Sequence, residues 1–295
     1  MKRSIGYYIL MAVTWPMQLF KLEFHYFFSG ILYFIIYNIV GYRRKVVFEN
    51  LKNSFPEKSI EERKAIERNF YRGFADMFIE TLYFTHINIE KQKKRLALEN
   101  FEQVKEILSG GRNIVLISGH FGNWEFFQLF NKELPINKYF IYKKLGNKVF
   151  DQFYKDLRGR AAMPLEMKET YRRLATDKNE GQQFGVFCIS DQRPLKSEIN
   201  YWLRFMNQDT PVMLGTEKIA RKTDSVVFYL EISKIKRGYH KLRFELMVEN
   251  PGEAEEHKIT KLFFEKLENS IRLSPEQYFW THKRWKYKIE DFKIK

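Results

Sequence analysis

The side chains best equipped for chemistry stand in one short run, Gly119-His-Phe-Gly-Asn-Trp-Glu125, directly after the apolar stretch Asn113-Ile-Val-Leu-Ile-Ser118. A neutral imidazole with an ordinary pKa of about 6.5 can take a proton from a hydroxyl at cellular pH, and a nearby carboxylate orients the ring and stabilises the imidazolium that forms. His120 and Glu125 therefore read as a general base and its partner. On one continuous helix, residues five apart lie roughly 140° apart around the axis, so the two converge only if a turn separates them. Gly119 and Gly122 supply that turn, and Asn123 is suited to cap the next helix. The pair lacks an enzyme nucleophile, so it fits activation of a substrate hydroxyl toward a carbonyl already activated, as in a thioester. The spacing alone also fits a loop histidine satisfied by its own backbone, because unrelated His-x4-Glu matches are common.

The elements that must hold this turn read as α/β. Ser59-Ile-Glu-Glu62 matches a capping box, and Ile66, Phe70, Phe74, Phe78 and Leu82 come after it at helical spacing, which predicts a long amphipathic helix to about Phe84. A second helix is expected over 100–108, stopped by Gly110-Gly111, before a short buried strand over 113–118. Apolar runs at 139–142, 185–190 and 226–232 have strand length, with helical patterns near 147–158 and 167–178. Such alternation predicts a mostly parallel central sheet flanked by helices. Leu242, Phe244, Leu246 and Val248 alternate with Arg243, Glu245 and Met247, the pattern of a half-exposed strand near a sheet edge. Thr210-Pro211 reads as a helix start for 211–222, and two further helices are expected near 255–273 and 275–286.

Ahead of this portion lies an unusual amino terminus. Residues 4–20 and 24–42 contain no Lys, Arg, Asp or Glu, and both stretches approach the length of a spanning helix. The aromatic residues Phe27, Phe28, Tyr33, Phe34 and Tyr37 continue into Arg43-Arg44-Lys45, unlike a cleavable signal with its small-residue end. The basic cluster is expected to stay cytoplasmic, leaving the rest of the chain there. Pro16, His25 and Asn38 interrupt the pattern, so a spanning helix, an in-plane interfacial helix and a buried core helix all stay open. Residues 1–45 accordingly read as a membrane-anchoring region and 46–295 as one catalytic domain.

Composition narrows the partners. A net charge of +15 makes the surface attractive to polyanions, including anionic lipid and phosphorylated substrates. The 28 Phe and 17 Tyr favour a core and a lipid interface over a nucleic-acid surface, for which no binding motif is present. The single Cys188 excludes an intramolecular disulfide and reads as a buried inert thiol. Neither a zinc-ligand spacing nor a Walker-type glycine loop occurs, so no metal or nucleotide cofactor is expected.

Three separated segments, His120-Phe-Gly-Asn-Trp-Glu125, Ser190-Asp-Gln192 and Pro275-Glu-Gln-Tyr-Phe-Trp-Thr-His-Lys-Arg-Trp-Lys286, together resemble the bacterial lipid A biosynthesis acyltransferases. Tyr42-Arg-Arg-Lys45, Asn50-Leu, Ser54-Phe-Pro-Glu57 and Glu61-Glu-Arg63 extend the resemblance over nearly the whole chain. The resemblance implies a fold similar to the glycerolipid acyltransferases, anchored at the cytoplasmic face of the bacterial inner membrane. It implies an acyl carrier protein thioester as donor, a lipid A precursor hydroxyl as acceptor, His120 as base and Glu125 as its partner. Arg158 and Arg160 in Leu157-Arg-Gly-Arg160, and Asp191, match further active-site positions and are expected to bind substrate.

Physically, the two guanidinium groups can hold a lipid phosphate or meet charge on the thioester carbonyl, or they can simply end a helix in solvent. Tyr278, Trp280 and Trp285 read as a helix packed on the core or facing the interface, with Lys283, Arg284 and Lys286 meeting phosphates. The stretch 204–210 departs from the family's small-residue Phe-x-Gly form, which leaves another lipid acceptor, a lysophospholipid or an amino-acid lipid, as the competing reading. From a different class, a basic membrane-associated binding protein without catalysis would also carry these charges.

Overall fold

The computed structural model describes residues 3–129 and 134–292. Four helices precede the first strand: α1 (Ile5–Thr14), α2 (Leu22–Phe34), α3 (Arg44–Ser54) and α4 (Ile60–His86). The capping box predicted for α4 is present in both directions. The Ser59 hydroxyl accepts from the Glu62 N–H at 3.2 Å, and the Glu62 carboxylate accepts from the Ser59 N–H at 2.7 Å. Helices and strands then alternate through β1 (Leu96–Glu99), α5 (Phe101–Ser109), β2 (Ile114–Ser118), β3 (Asn137–Tyr142), α6 (Lys148–Gly159), β4 (Met163–Glu166), α7 (Met167–Asn179) and β5 (Phe184–Ile189). A hairpin of β6 (Trp202–Phe205) and β7 (Gln208–Pro211) leads to α8 (Gly215–Thr223), β8 (Val226–Lys236), β9 (Tyr239–Val248) and α9 (Lys258–Leu273).

Seven strands form one sheet in the order β1-β9-β8-β2-β5-β3-β4, and among the described residues every neighbouring pair is parallel except β8 and β9. The central strands β2 and β5 are apolar on both faces because both faces are covered. Val115, Ile117, Val186 and Cys188 face a core that includes Phe263, Leu267 and Ile271 of α9. Ile114, Leu116 and Phe187 face the opposite core with Val104 and Leu108 of α5. Cys188 is buried there, and burial pushes its thiol up to about 12. Strand β9 lies next to the edge strand and is buried on alternate residues through His240, Leu242 and Phe244, as its sequence predicts.

One expected helix starts late and another is absent. Residues 208–211 pair instead with 202–205, turning through Met206 and Asn207, whose φ of 50° and 62° are those of a two-residue hairpin turn. The helix of this region begins only at Gly215. Residues 275–286 are not a helix either. After one short 3-10 turn, Pro275–Gln277, the chain crosses the sheet end as an irregular strap. Trp280 and Arg284 are fully buried, so Arg284 meets no phosphate: its Nη2 donates to the Pro211 carbonyl at 2.7 Å. The strap is held by the Asn50 amide, which donates to the carbonyls of Trp280 and His282.

At the amino terminus, Pro16 sits in a 3-10 segment, Trp15–Leu19, that separates α1 from α2, and the chain turns at Arg43 with φ 55°. No single helix among the described residues is long and apolar enough to cross a membrane. Leu22–Ile39 and Arg44–Ser54 would pass by composition only as a pair bent by 85°. Helix α1 packs on α6, where the Tyr7 phenol donates to Asp156 at 2.6 Å, and α2 packs on α4. Their other side leaves Ile5, Ile9, Val13, Phe24, Phe27 and Phe34 exposed.

Candidate active site

Strands β2 and β5 are adjacent and parallel, with Ser118 opposite Ile189. The two residues after each strand therefore emerge side by side at the carboxyl edge of the sheet, the usual location of a site in a parallel sheet. The Ser190 N–H donates to the Ser118 carbonyl at 3.0 Å, which carries the pairing one step further. The next residues are His120 and Asp191, and the His120 Nδ1 lies 2.6 Å from Asp191 Oδ1.

The turn that presents His120 depends on its glycines. A side chain at Gly119 would come within 2.6 Å of Leu267 on α9. Gly122 adopts φ +62°, and a Cβ there would collide with the Ile232 carbonyl oxygen of β8. The strap closes over the same turn: the Gly122 N–H donates to the Gln277 carbonyl at 2.9 Å, and the Phe279 N–H donates to the His120 carbonyl at 3.0 Å. Asn123 is a cap, as expected, its side-chain oxygen accepting from the Glu125 N–H at 3.1 Å. The capped element is a 3-10 turn, Trp124–Leu129, in which every residue is buried.

The imidazole is enclosed but not sealed, with 15 % of its side chain exposed. Trp124 meets it edge-on at 4.7 Å between centroids, and Phe279 stacks at 5.8 Å. Gln192 presents its amide nitrogen 3.2 Å from His120 Nε2. A carboxylate at Nδ1 and an N–H donor at Nε2 together select the tautomer with its proton on Nδ1 and its lone pair on Nε2. That is the form a general base requires.

The carboxylate is held ionised. Burial pushes Asp191 upward, but the His120 imidazole, the His120 backbone N–H and, beyond them, the Arg284 guanidinium outweigh it, and Asp191 lies below the usual carboxylate range. Beside it, Tyr278 is raised well above the ordinary phenol by burial and by the Asp191 charge. Burial lowers Arg284 to about 10 and His282 to about 4.

The sequence pairs His120 with Glu125, yet the hydrogen bonds of Glu125 go elsewhere. Its carboxylate takes the Arg158 guanidinium through Nε at 3.1 Å and Nη2 at 2.5 Å, and the Gln128 amide at 3.2 Å. Arg158, in the last turn of α6, lies between the rings of Phe140 and Tyr154, at 4.4 and 4.9 Å. Arg158 is thus a clamped cation and not a solvated helix end. Arg160 is committed to the carboxyl end of α4, donating to the carbonyls of Phe84, Thr85 and Ile87. Its guanidinium satisfies a helix terminus, a structural role at a distance from the turn in sequence and in partners.

Among the described residues, no group of three or more His, Cys, Asp or Glu side chains is arranged to hold a metal ion. Cavities open among the described residues include two. One of 240 Å³ lies behind Trp124 and Phe279, lined also by Phe70, Phe74, Met77 and Glu80. The other, an 840 Å³ cleft lined by Lys52, Arg63, Arg204 and Lys288, contains none of the site residues.

The model of the family described as bacterial lipid A biosynthesis acyltransferase matches residues 1–287. The chain belongs to that family. It is an acyltransferase, and the site at the ends of β2 and β5 is its candidate catalytic centre. No curated protein matches the chain individually. Sequence reasoning about this acyltransferase missed Gln192, Trp124 and Phe279 as neighbours of His120. A signal for the first was present, because strands ending at 118 and near 190 bring residues 120 and 191–192 together once they are assigned as neighbours.

Proposed function

We propose that this acyltransferase moves a fatty acyl chain from an acyl thioester, with acyl carrier protein as donor, to a hydroxyl of a lipid A precursor. One observation carries the mechanism: the His120–Asp191 hydrogen bond, which leaves Nε2, beside the Gln192 amide, as the nitrogen that takes up a proton. In this reading Nε2 takes the proton of the acceptor hydroxyl as its oxygen attacks the thioester carbonyl. The C–S bond then breaks, and the imidazolium returns its proton to the departing thiolate. Asp191 holds the ring and balances the imidazolium, the role a buried carboxylate plays beside a catalytic histidine. No enzyme-bound acyl intermediate is needed, since the donor carbonyl is already activated.

Glu125 acts one step away in this scheme. It fixes Arg158 over Phe140 and Tyr154, and in this reading the guanidinium meets a phosphate or a developing oxyanion. The exposed apolar side of α1 and α2 supports an in-plane anchor at the cytoplasmic face of the bacterial inner membrane, with aromatic rings at the interface and Lys45 exposed beside them. The net positive charge suits an acidic carrier protein and a phosphorylated acceptor, and it gives no preference for nucleic acid.

The test is purified protein incubated with acyl carrier protein thioester and either a lipid A precursor or a lysophospholipid, with products read by mass spectrometry. A single added acyl chain on the lipid A precursor alone is the expected result. Acylation of the lysophospholipid alone would move the acceptor to another lipid, and no product with either acceptor would refute the reading.

A further inference from the structure

Behind the turn at 119–124 lies a buried carboxylate that acyl transfer itself does not require. Glu80 on α4 is 2 % exposed, and each of its oxygens has one partner. Oε1 accepts from the Tyr26 phenol of α2 at 2.7 Å, and Oε2 accepts from the Asn123 amide nitrogen at 2.7 Å. Asn123 is buried as well, and its other amide atom caps the turn that carries Glu125. A continuous chain of hydrogen bonds therefore runs from α2, through α4, into the turn three residues beyond His120.

The surroundings fix Tyr26 as firmly as Glu80. Asp76, one turn earlier on α4, takes the Arg237 guanidinium through Nε at 3.0 Å and Nη2 at 2.6 Å, and accepts from Ser29 of α2. That guanidinium lies 4.0 Å above the Tyr26 ring. Gly238, with φ +76°, lets the β8–β9 turn approach so closely that a Cβ there would lie 2.5 Å from the Tyr26 oxygen. An apolar side chain could anchor α4 without desolvating a carboxylate, a penalty that real proteins feel even after relaxation. What the carboxylate adds is direction, because two acceptor oxygens in one plane fix two donors that come from different elements.

We infer that Glu80 is a positioning residue for the acyl-transfer turn, holding it through Asn123 and tying it to α2 through Tyr26. This rests on the reading of His120 as the base. Glutamine at position 80 preserves the chain: its carbonyl oxygen accepts from Asn123, and its amide donates to the Tyr26 oxygen. Alanine breaks both links, and Tyr26→Phe breaks only the link to α2.

The experiment measures kcat and KM of the purified full chain and its Glu80→Gln, Glu80→Ala, Tyr26→Phe and His120→Ala variants, each below its own melting temperature. Glu80→Ala is expected to lower kcat about 10- to 100-fold, with KM within about threefold of the parent, the scale of a misplaced catalytic group. Glu80→Gln restores kcat to within about threefold of the parent, and Tyr26→Phe falls between the two. Parent-like kcat in Glu80→Ala overturns the inference, as does Glu80→Gln failing as badly as alanine. Should alanine prevent folding, Tyr26→Phe and Glu80→Gln decide: parent-like kcat in Tyr26→Phe, or a collapsed kcat in Glu80→Gln, overturns it. A fully active His120→Ala would instead refute the underlying reading, which separates the two failures.

Discussion

His120 and Asp191 are 71 residues apart in sequence, and each stands two residues beyond a strand end that is paired with the other's. The register of β2 against β5 therefore sets the 2.6 Å contact between them. Replacing Asp191 by Asn exchanges an acceptor for a group that can donate to Nδ1, which favours the tautomer with its proton on Nε2. We expect Asp191→Asn to lose roughly 10²- to 10⁴-fold in kcat with folding retained, the cost of a misdirected general base. Steady-state kinetics beside a thermal melt reads both. Undiminished turnover in a folded Asp191→Asn would assign the carboxylate to structure alone.

Glu125, which is buried, and Arg158, which is partly buried, form a second pair, with 3 % and 17 % of their side chains exposed. Removing Arg158 leaves the Glu125 charge buried and unpaired, which costs on the order of 3–5 kcal/mol, and removing Glu125 leaves a partly exposed guanidinium and costs less. Glu125→Gln and Arg158→Gln should each destabilise the fold, and the double variant should be more stable than the two single losses added together. Denaturant unfolding of all four proteins gives the coupling. Strict additivity would show that the pair is not a unit.

Gly122 and Gly181 have the same backbone hand, φ +62° and +68°, but only Gly122 has a neighbour in the way. Alanine at either position meets left-handed strain of about 1–3 kcal/mol. At Gly122 it also meets the Ile232 carbonyl oxygen, so Gly122→Ala should cost clearly more stability and disturb the turn that carries His120. Equal melting temperatures for the two variants would contradict this.

Two buried groups and one partly buried group make stability depend on pH, and their signs oppose. Burial lowers His240 to about 3 and His282 to about 4, so both are neutral when folded. Their contribution is complete above the unfolded value of about 6.5 and is lost as pH falls from there toward the folded values, at about 1.4 kcal/mol for each pH unit between the two. Burial, with Asp76 nearby, raises Glu80 to about 7 against the opposing pull of Asn123, Tyr26 and Lys234. Its contribution runs the other way, present at low pH and lost between about 4.5 and 7. Unfolding free energy measured from pH 4 to 8 should therefore decline less steeply toward acid in His240→Asn than in the parent, and less steeply toward neutral pH in Glu80→Gln. Parallel profiles for parent and variants would contradict the assignments.

Much of the sheet was legible because its central strands are short apolar runs bounded by glycine or polar turns, as at 113–118 and 185–190. Helix α4 announced itself through Ser59 and Glu62. The hairpin at 202–211 was hidden because its two left-handed residues are Met206 and Asn207, with no glycine to mark them, and Pro211 imitates a helix start. The strap was misread for a similar reason: Tyr278, Trp280 and Trp285 suit a helix face, but their order comes from bonds to Asn50, Pro275 and Thr210, which no local pattern encodes. The turn that presents His120 was legible from Gly119 and Gly122. The carboxylate partner of His120 was not, because a contact made by strand register is invisible until the strands are known to be neighbours.

Proton transfer by His120 is tested most directly by the turnover of purified His120→Ala with an acyl carrier protein thioester and a lipid A precursor. A folded variant slower by about 10²- to 10⁴-fold is the predicted result for the loss of a positioned general base. A variant that transfers acyl chains at the parent rate would contradict it.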